Sequence, residues 1–431
     1  MKTETRQKKI WKKQYQLLYT KLQKQYSRKI NLDLKRINFA LRKLGNIQSS
    51  IKNPINIIGS DGKYTTLKSL QTFIEAQGEK CSFFISPHLK SVNERIWLKD
   101  RFINIDELKK NIKIIKKLNV KLTLFEVLTM IYLISASKLK NVYCSLIEAG
   151  LLFAKDSTRL WSEPKCQIVT NINSQHLEWV KPKNLRSICK QKVGYLSKKT
   201  TIYIGKQNPK TLKIIKQILK KNPSEKNFYG KDWILKPKKR KIIYKDSKGK
   251  LILSSKKIFS EGIWQNVGLA IKVARDLKIS DKNILKALPK ITFEGRMQYI
   301  FKGKLRKLLK ADELLLVDGC HSNASAKNLA THLKKYNNKV YGIWGIQKNR
   351  NPKEFLENFK GIYSKIVAIR IPDEPAACKP SELKRIANMM KIECEVAPNI
   401  ISALKMLSSK EKKVITFFGS LYLAGKVLDI N

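Results

Sequence analysis

Two kinds of apolar pattern take turns along the chain. Short continuous runs such as PINIIG (54–59), KCSFFIS (80–86), VYCSLIEAG (142–150) and CQIVTNIN (166–173) predict buried strands. Between them, apolar residues recur three or four places apart. In TTLKSLQTFIEAQG (65–78), Leu67, Leu70, Phe73 and Ile74 share one helical face and Gly78 ends it. FEVLTMIYLISASKL (125–139) reads as another helix. Residues 1–50 read as helical too, with INLDLKRINFALRKLGN (30–46) closing on a Gly-Asn stop. Alternation of strands and helices predicts a mostly parallel sheet covered by helices. Residues 196–258 break the rhythm. YIGKQNP (203–209), WILKPKKRKIIYKDSKGKLILSS (233–255) and the turn Lys248-Gly249-Lys250 predict a helix and an edge hairpin, followed by a helix at about 265–277. A second alternating block begins near residue 295. ELLLVDG (313–319), KVYGIWGI (339–346), SKIVAIRIP (364–372) and KVITFFGS (413–420) are its strands, with helices near 325–335, 381–391 and 400–408. The pattern divides the chain into a first domain over 1–292 and a second over 293–431.

Composition changes this picture little. At 42% hydrophobic, 431 residues can build sizeable cores, which excludes a disordered chain. The formal net charge of +56 and a pI near 10.1 would ordinarily point to a polyanion partner. Here the charge is mostly Lys, spread almost evenly beside abundant Ile and Asn, residues that share adenine-rich codons. No basic patch or nucleic-acid module stands out, so no nucleic-acid partner is expected. The basic run at 236–241 reads as a solvated, lysine-guarded edge. Seven scattered Cys without a Cys-x-x-Cys pair argue against zinc and disulfides and for a reducing compartment. The N-terminus MKTETRQKKIWKKQYQ lacks an apolar signal core. LTLFEVLTMIYLISAS (122–137) contains Glu126 and falls short of the roughly 20 residues that span a bilayer. The expectation is a cytoplasmic protein with no membrane partner.

Candidate chemistry collects where strands end. Gly59-Ser60-Asp61-Gly62-Lys63-Tyr64-Thr65 lies between a buried strand and an amphipathic helix, the context of a phosphate loop. Glycines let the backbone approach an anion, N–H groups and the helix N-terminus face it, and a Lys reaches the terminal phosphates. The loop is shorter than the standard Walker pattern, and an ordinary turn remains the alternative at this point. Ser86, Glu148, Asp318 and Ser420 each end an apolar run, and ligands of open α/β sheets bind beyond the carboxyl ends of strands. Three of the four His, at 88, 176 and 321, lie just past such ends. Glu148, His176 and a loop hydroxyl are hard ligands suited to Mg²⁺ bridging phosphates.

These residues stand in a recognisable order. INIIGSDGKYTTLKSLQTFIEAQGEKCSFFISPHLKSVNERI resembles the folylpolyglutamate synthase/dihydrofolate synthase family, a branch of the Mur-type amide ligases, whose loop commonly reads GTNGKGS and is followed by SPHL and NER. LTLFEVLT is similar to the family's LTxFE helix, LIEAGL to its strand ending in Glu, and VTNINSQHLEW to ItNIglDHxxW. QKVGYL, FEGRMQ, VDGCHSNASA and FFGSLYLAG resemble its EKAGI, GR, DGAHNP and GSlyl segments. The resemblance runs in order from about residue 31 to the end. It implies a P-loop-containing N-terminal ATPase domain of Mur-ligase type and a smaller Rossmann-like α/β C-terminal domain.

The resemblance also implies roles. Gly59 to Thr65 would hold ATP, with Lys63 on the β/γ-phosphates; Arg296 and Asp318 would add contacts from the second domain. Ser86 and Glu148 would bind one Mg²⁺ and His176 a second. Lys192 would match a lysine that carries a carbamate, although Lys190 stays open because the spacing from His176 is one residue long. Thr123, Leu124, Phe125 and Glu126, with Lys155, Asp156 and Ser157, would lie near the pterin. His321 and Ser420 would lie near the incoming glutamate. The departures are several: Asp61 for the loop Asn, Tyr64 for its second Gly, Gln175 for the Asp before His176, Trp264 for a His, Gly268 for an adenine-contacting Asn, and Ser322 for the Asn of DGAHN. AGLLFAKDSTR keeps Asp156 but loses most glycines of GLGGRLDATN, and IQKNR lacks both carboxylates of DKD.

The reading is an ATP- and Mg²⁺-dependent ligase, monomeric, that adds L-glutamate to dihydropteroate, to folates, or to both. The alternatives are another Mur-type ligase, such as a peptidoglycan-precursor enzyme, and a non-catalytic homologue that binds polyanions.

Overall fold

The computed structural model describes residues 2–27, 31–238 and 241–431. The chain forms two compact units. One comprises residues up to Lys257 together with Ile263–Ile291, the other Ile258–Gly262 together with Thr292–Asn431. The sequence pattern does not separate 258–262, a short segment counted with the second unit.

In the first unit, β1 (Pro54–Ile58) is buried at every position, as an unbroken apolar run requires. It lies inside an eight-stranded sheet with β2 (Cys81–Phe84), β3 (Ile96–Lys99), β4 (Arg101–Phe102), β5 (Cys144–Glu148), β6 (Cys166–Val169), β7 (Ile202–Ile204) and β8 (Lys226–Phe228), in the order β4-β3-β2-β5-β1-β6-β7-β8. From β2 to β8 all neighbours are parallel. β3 and β4 extend the sheet antiparallel, an addition the sequence pattern did not announce because both strands are short, β3 is buried only at alternate positions and β4 is exposed. The helix Leu124–Ala136 is buried almost all round, which is why its apolar residues show little periodicity. Each fully buried Leu, Ile or Phe of such a core contributes about 1.5–3 kcal/mol.

The predicted helix over residues 1–50 is two helices, Lys2–Gln25 and Lys35–Lys43, followed by a short 3₁₀ turn. The predicted edge hairpin is also corrected. β9 (Trp233–Lys238), β10 (Lys241–Asp246) and β11 (Gly249–Leu253) form a separate three-stranded antiparallel sheet of order β11-β10-β9, not an edge of the main one. Trp233, Leu235, Tyr244, Leu251 and Leu253 give it a buried face of its own. Residues 239 and 240 of the basic run lie outside the described residues.

The second unit holds β12 (Gln298–Tyr299), β13 (Glu313–Val317), β14 (Lys339–Trp344), β15 (Lys365–Ala368), β16 (Cys394–Val396) and β17 (Lys413–Phe418), ordered β12-β13-β17-β14-β15-β16. All pairs are parallel except β12–β13. The helices expected near 325–335, 381–391 and 400–408 are Asn323–Leu333, Pro380–Met389 and Ile400–Leu407. All seven cysteines are buried and unpaired. Among the described residues no helix is long and apolar enough to cross a membrane.

Candidate active site

The loop after β1 is shaped by close approaches. At Gly59 a Cβ would meet Thr170 Oγ1 at 2.0 Å, and at Gly62, where φ is +90°, it would meet Asn266 Oδ1 at 2.2 Å. The helix Lys63–Ala76 starts directly at Gly62, two residues before the apolar periodicity becomes visible. Lys63 therefore sits at the first helical position, where unpaired backbone N–H groups favour an anion. Its Nζ donates to the carbonyls of Gly59 (3.3 Å) and Ser60 (3.2 Å) and lies 3.8 Å from Glu148 Oε1. Tyr64 is half-buried in the first turn and Thr65 is buried.

Glu148 ends β5, two strand positions from Lys63's loop, because β1 and β5 are parallel neighbours with Ile57 opposite Glu148. Glu148 Oε2 accepts from the Ser86 backbone N–H at 3.1 Å. Ser86 follows β2, on the other side of β5. Arg95, part of the NER motif but given no role from sequence, ties this corner together. It is buried and donates to His88 Nδ1 (2.9 Å) and Ser86 Oγ (3.4 Å). Tyr19 of the first helix packs edge-on against His88, ring centres 4.8 Å apart, and lies under the Arg95 guanidinium. Burial first, then Arg95, hold His88 well below the ordinary imidazole range, so it is neutral and its Nδ1 is the acceptor. His88 thus supports the corner as a fixed acceptor.

Lys192 lies in the helix Leu185–Val193. It is buried, whereas Lys190 is exposed. Lys192 Nζ donates to Gly59 O and to Leu151 O, both at 2.9 Å. Two ammonium groups, of Lys63 and Lys192, thus share one carbonyl oxygen. Burial, and then the charge of Lys63, push the Lys192 amine down to about 7.

Residues 170–176 run alongside the phosphate loop. Thr170 Oγ1 donates to Asp61 O (2.7 Å), and the N–H of Ser60 donates to Asn171 O (2.7 Å). Asp61 Oδ2 accepts from Asn173 Nδ2 (2.7 Å) and Gln175 Nε2 (2.8 Å). His176 comes next, in a left-handed conformation (φ +66°), with Nδ1 3.7 Å from Glu178 Oε1. Among the described residues no three His, Cys, Asp or Glu side chains gather as a metal site. Ser86 and Glu148 do fit a single hard cation: they are adjacent oxygen donors beside the phosphate loop, leaving other positions for phosphate and water.

The residues assigned to the pterin converge. Thr123 and Glu126 form a capping box, with Glu126 Oε2 accepting from Thr123 N–H (2.7 Å) and Oγ1 (2.8 Å). Arg36 donates to both Glu126 oxygens, at 3.2 and 3.0 Å. Glu126 is thereby committed to local structure. Leu124 is buried in the core. Asp156 accepts from the N–H groups of Gly150, Leu151 and Thr158 and from Thr158 Oγ1, organising the loop that has lost its glycines. Burial pushes its carboxyl up despite these bonds. A Cβ at Gly150 would meet both Asp156 Oδ2 and the Phe125 ring at 2.8 Å. Ser157 Oγ lies 2.8 Å from Thr129 Oγ1, and Lys155 is exposed.

In the second unit, Asp318 is buried at the end of β13 and accepts from the N–H groups of Met297 (2.7 Å) and Cys320 (2.8 Å). Burial raises its carboxyl while Arg296 lowers it. His321 Nδ1 lies 2.9 Å from Gly319 O, a carbonyl that can only accept, which places a proton on Nδ1. Ser420 caps the helix Leu421–Ile430 by accepting from Tyr422 N–H, and Ser322 caps Asn323–Leu333.

Gly268 explains one departure. A Cβ there would meet Leu235 Cδ1 at 2.2 Å and Trp233 at 3.1 Å, because the helix Glu261–Asp276 packs on the three-stranded sheet, so an Asn would require Leu235 to shift. Asn266 in the same helix lies against Gly62 instead, and its carbonyl is 3.5 Å from Thr66 Oγ1.

The chain is similar to known proteins over most of its length. A family model described as "Dihydrofolate synthetase, C-terminal domain" matches residues 302–430. The dihydrofolate synthetase of Saccharomyces cerevisiae is 23% identical over 429 residues, covering 93% of this chain and 98% of its own. A dihydrofolate synthase/folylpolyglutamate synthase of Buchnera aphidicola is 24% identical, covering 92% and 93%. Among solved structures, E. coli FolC in complex with DHPP and ADP superposes with a TM-score of 0.84 at 19% identity, covering 95% of this chain and 96% of that one. Mycobacterium tuberculosis folylpolyglutamate synthase complexed with ADP gives 0.84 at 18%, covering 96% and 98%. In its second unit the chain matches a dihydrofolate synthetase family model, and over nearly its whole length it is similar to dihydrofolate and folylpolyglutamate synthases, whose fold it shares.

Proposed function

We propose that the protein is an ATP-dependent ligase that joins L-glutamate to dihydropteroate or to the terminal glutamate of folates, acting as a cytoplasmic monomer. The observation that carries this reading is the grouping of Lys63, Lys192, Glu148 and Ser86 around one glycine loop at the carboxyl ends of parallel strands. A carboxylate will not form an amide in water by itself. It attacks the γ-phosphorus of ATP, the bond to the β-bridging oxygen breaks, and ADP leaves behind an acyl phosphate. The amine of glutamate then attacks the acyl carbon, loses a proton, and inorganic phosphate departs.

The chain's own part is positioning and charge. Lys63 moves from the loop carbonyls to the β/γ-phosphates, and the N–H groups at the start of its helix face the same anion. Ser86 and Glu148 would hold Mg²⁺, which when bound neutralises charge on the phosphate oxygens; His176 is assigned to a second ion. Neutral Lys192 attacks CO₂, releases a proton, and becomes an anionic carbamate where two cations would otherwise share Gly59 O. Thr123, Phe125 and Asp156 are assigned to the pterin, Arg296 and Asp318 to ATP, and His321 and Ser420 to glutamate.

ADP release is the direct test, measured with dihydropteroate and tetrahydrofolate in parallel, each with and without glutamate. The expected result is release that requires both acceptor and glutamate. Lys63→Ala and Glu148→Ala should each lower it by at least about a hundredfold. Full activity in either variant, or turnover only with a peptidoglycan precursor, would refute the assignment.

A further inference from the structure

Two departures from the family motifs, Asp61 and Gln175, are far apart in sequence and touch in the structure. Where the related motifs carry an amide in the phosphate loop and an acid before the His, this chain carries the acid in the loop and the amide before His176. The two side chains meet: Gln175 Nε2 donates to Asp61 Oδ2 at 2.8 Å. We infer that they are a single compensated exchange, an amide–carboxylate pair of reversed polarity, and that Asp61 positions the 170–176 segment, and with it His176, against the phosphate loop. This inference rests on the nucleotide-binding reading of that loop.

The surroundings support it. Asp61 is the only acid between Gly59 and Thr66, and an acid there would repel a triphosphate unless its charge were held aside. Two amides hold it, from Asn173 at 2.7 Å and Gln175 at 2.8 Å, both on the facing segment. The backbones are stitched at the same place, through Ser60 N–H to Asn171 O, the Asn173 N–H to Ser60 Oγ at 3.2 Å, and the bridge between Asp61 and Asn171. Asn173 Oδ1 is buried and has no hydrogen-bond partner among the described residues. The facing segment presents two amide donors to one carboxylate oxygen.

A double-mutant cycle tests the pair. Gln175→Glu is isosteric and sets a second carboxylate against Asp61; Asp61→Asn removes the charge and keeps an acceptor. KM for Mg·ATP, kcat and the melting midpoint are measured for both single variants and for the double variant. Gln175→Glu should raise KM on the order of tenfold, Asp61→Asn should raise it by about three- to fivefold because the charge that draws both amides is lost, and the double variant should return to within about threefold of the native protein. A double variant no better than Gln175→Glu overturns the inference. So does a fall in melting midpoint with KM unchanged, because that is what a merely structural contact predicts. Absence of glutamate-dependent turnover in the native protein would strike the ligase reading instead. The pair's coupling is then read from dissociation constants of a non-hydrolysable ATP analogue with Mg²⁺ across the same set, with the same expected and overturning outcomes.

Discussion

Single residues here owe their chemistry to neighbours brought from elsewhere in the chain. Lys192 is one of many lysines, and only burial beside Lys63 gives it an amine that titrates near neutrality. In the folded protein its pKa falls from 10.5 to about 7. Between those values the unfolded chain binds the extra proton, so this lysine makes stability rise with pH over that window; its charge costs the fold fully below about 7 and nothing above 10.5. The same shift would supply the free amine that the proposed carbamate requires. Activity should therefore fall in CO₂-depleted buffer, recover with bicarbonate, and decline as pH drops through about 7. Indifference of ADP release to bicarbonate would show that Lys192 works as a cation. The Gly-Lys loop was legible in sequence because its signal is local. Arg95 was not: its link to Ser86 and His88 is made by a turn of the backbone that no spacing rule reveals.

At the scale of elements, local signals and packing divide the credit. The capping box at Thr123 is written in the sequence as Thr-x-x-Glu, but its reinforcement by Arg36 comes from a helix 90 residues away. Arg36→Ala leaves the buried Glu126 carboxylate short of two charge-assisted bonds. It should cost about 2 kcal/mol, seen as a lower thermal midpoint with KM for glutamate unchanged. The helix Glu261–Asp276 is the second case. Restoring the familiar amide by Gly268→Asn should drive its side chain into Leu235 and Trp233, costing about 2–3 kcal/mol and roughly 4–8 °C in the first unit's melting transition. A stable Gly268→Asn protein with tighter ATP binding would contradict the packing seen here. The three-stranded sheet was half legible. Its apolar alternation marked strands, but which sheet an antiparallel ribbon joins depends on non-local contacts.

For the whole molecule, the formal charge of +56 acts through its sum. Like charges repel most in the compact state, and screening over a Debye length of about 10 Å at 0.1 M salt relieves this. Moving from about 0.02 M to about 0.3 M salt should raise the melting midpoint while also raising KM for ATP, because the same field attracts an anionic substrate. A midpoint that falls with salt would mean that specific ion pairs outweigh the net charge.

The sequence by itself determined the α/β class, the alternating blocks, the Gly-Lys turn after the first strand and the resemblance carried by the ordered motifs, since strand burial, helix periodicity and short motifs are properties of neighbouring residues. Only the tertiary structure decided that Lys192 and not Lys190 faces Gly59, that Gly268 packs against Leu235, that Arg95 braces Ser86 and His88, and that Asp61 and Gln175 are partners. The physical reason is common to all four. Each depends on a distance of a few ångströms between segments tens to hundreds of residues apart, and such distances are set by how buried surfaces pack, which no local pattern encodes.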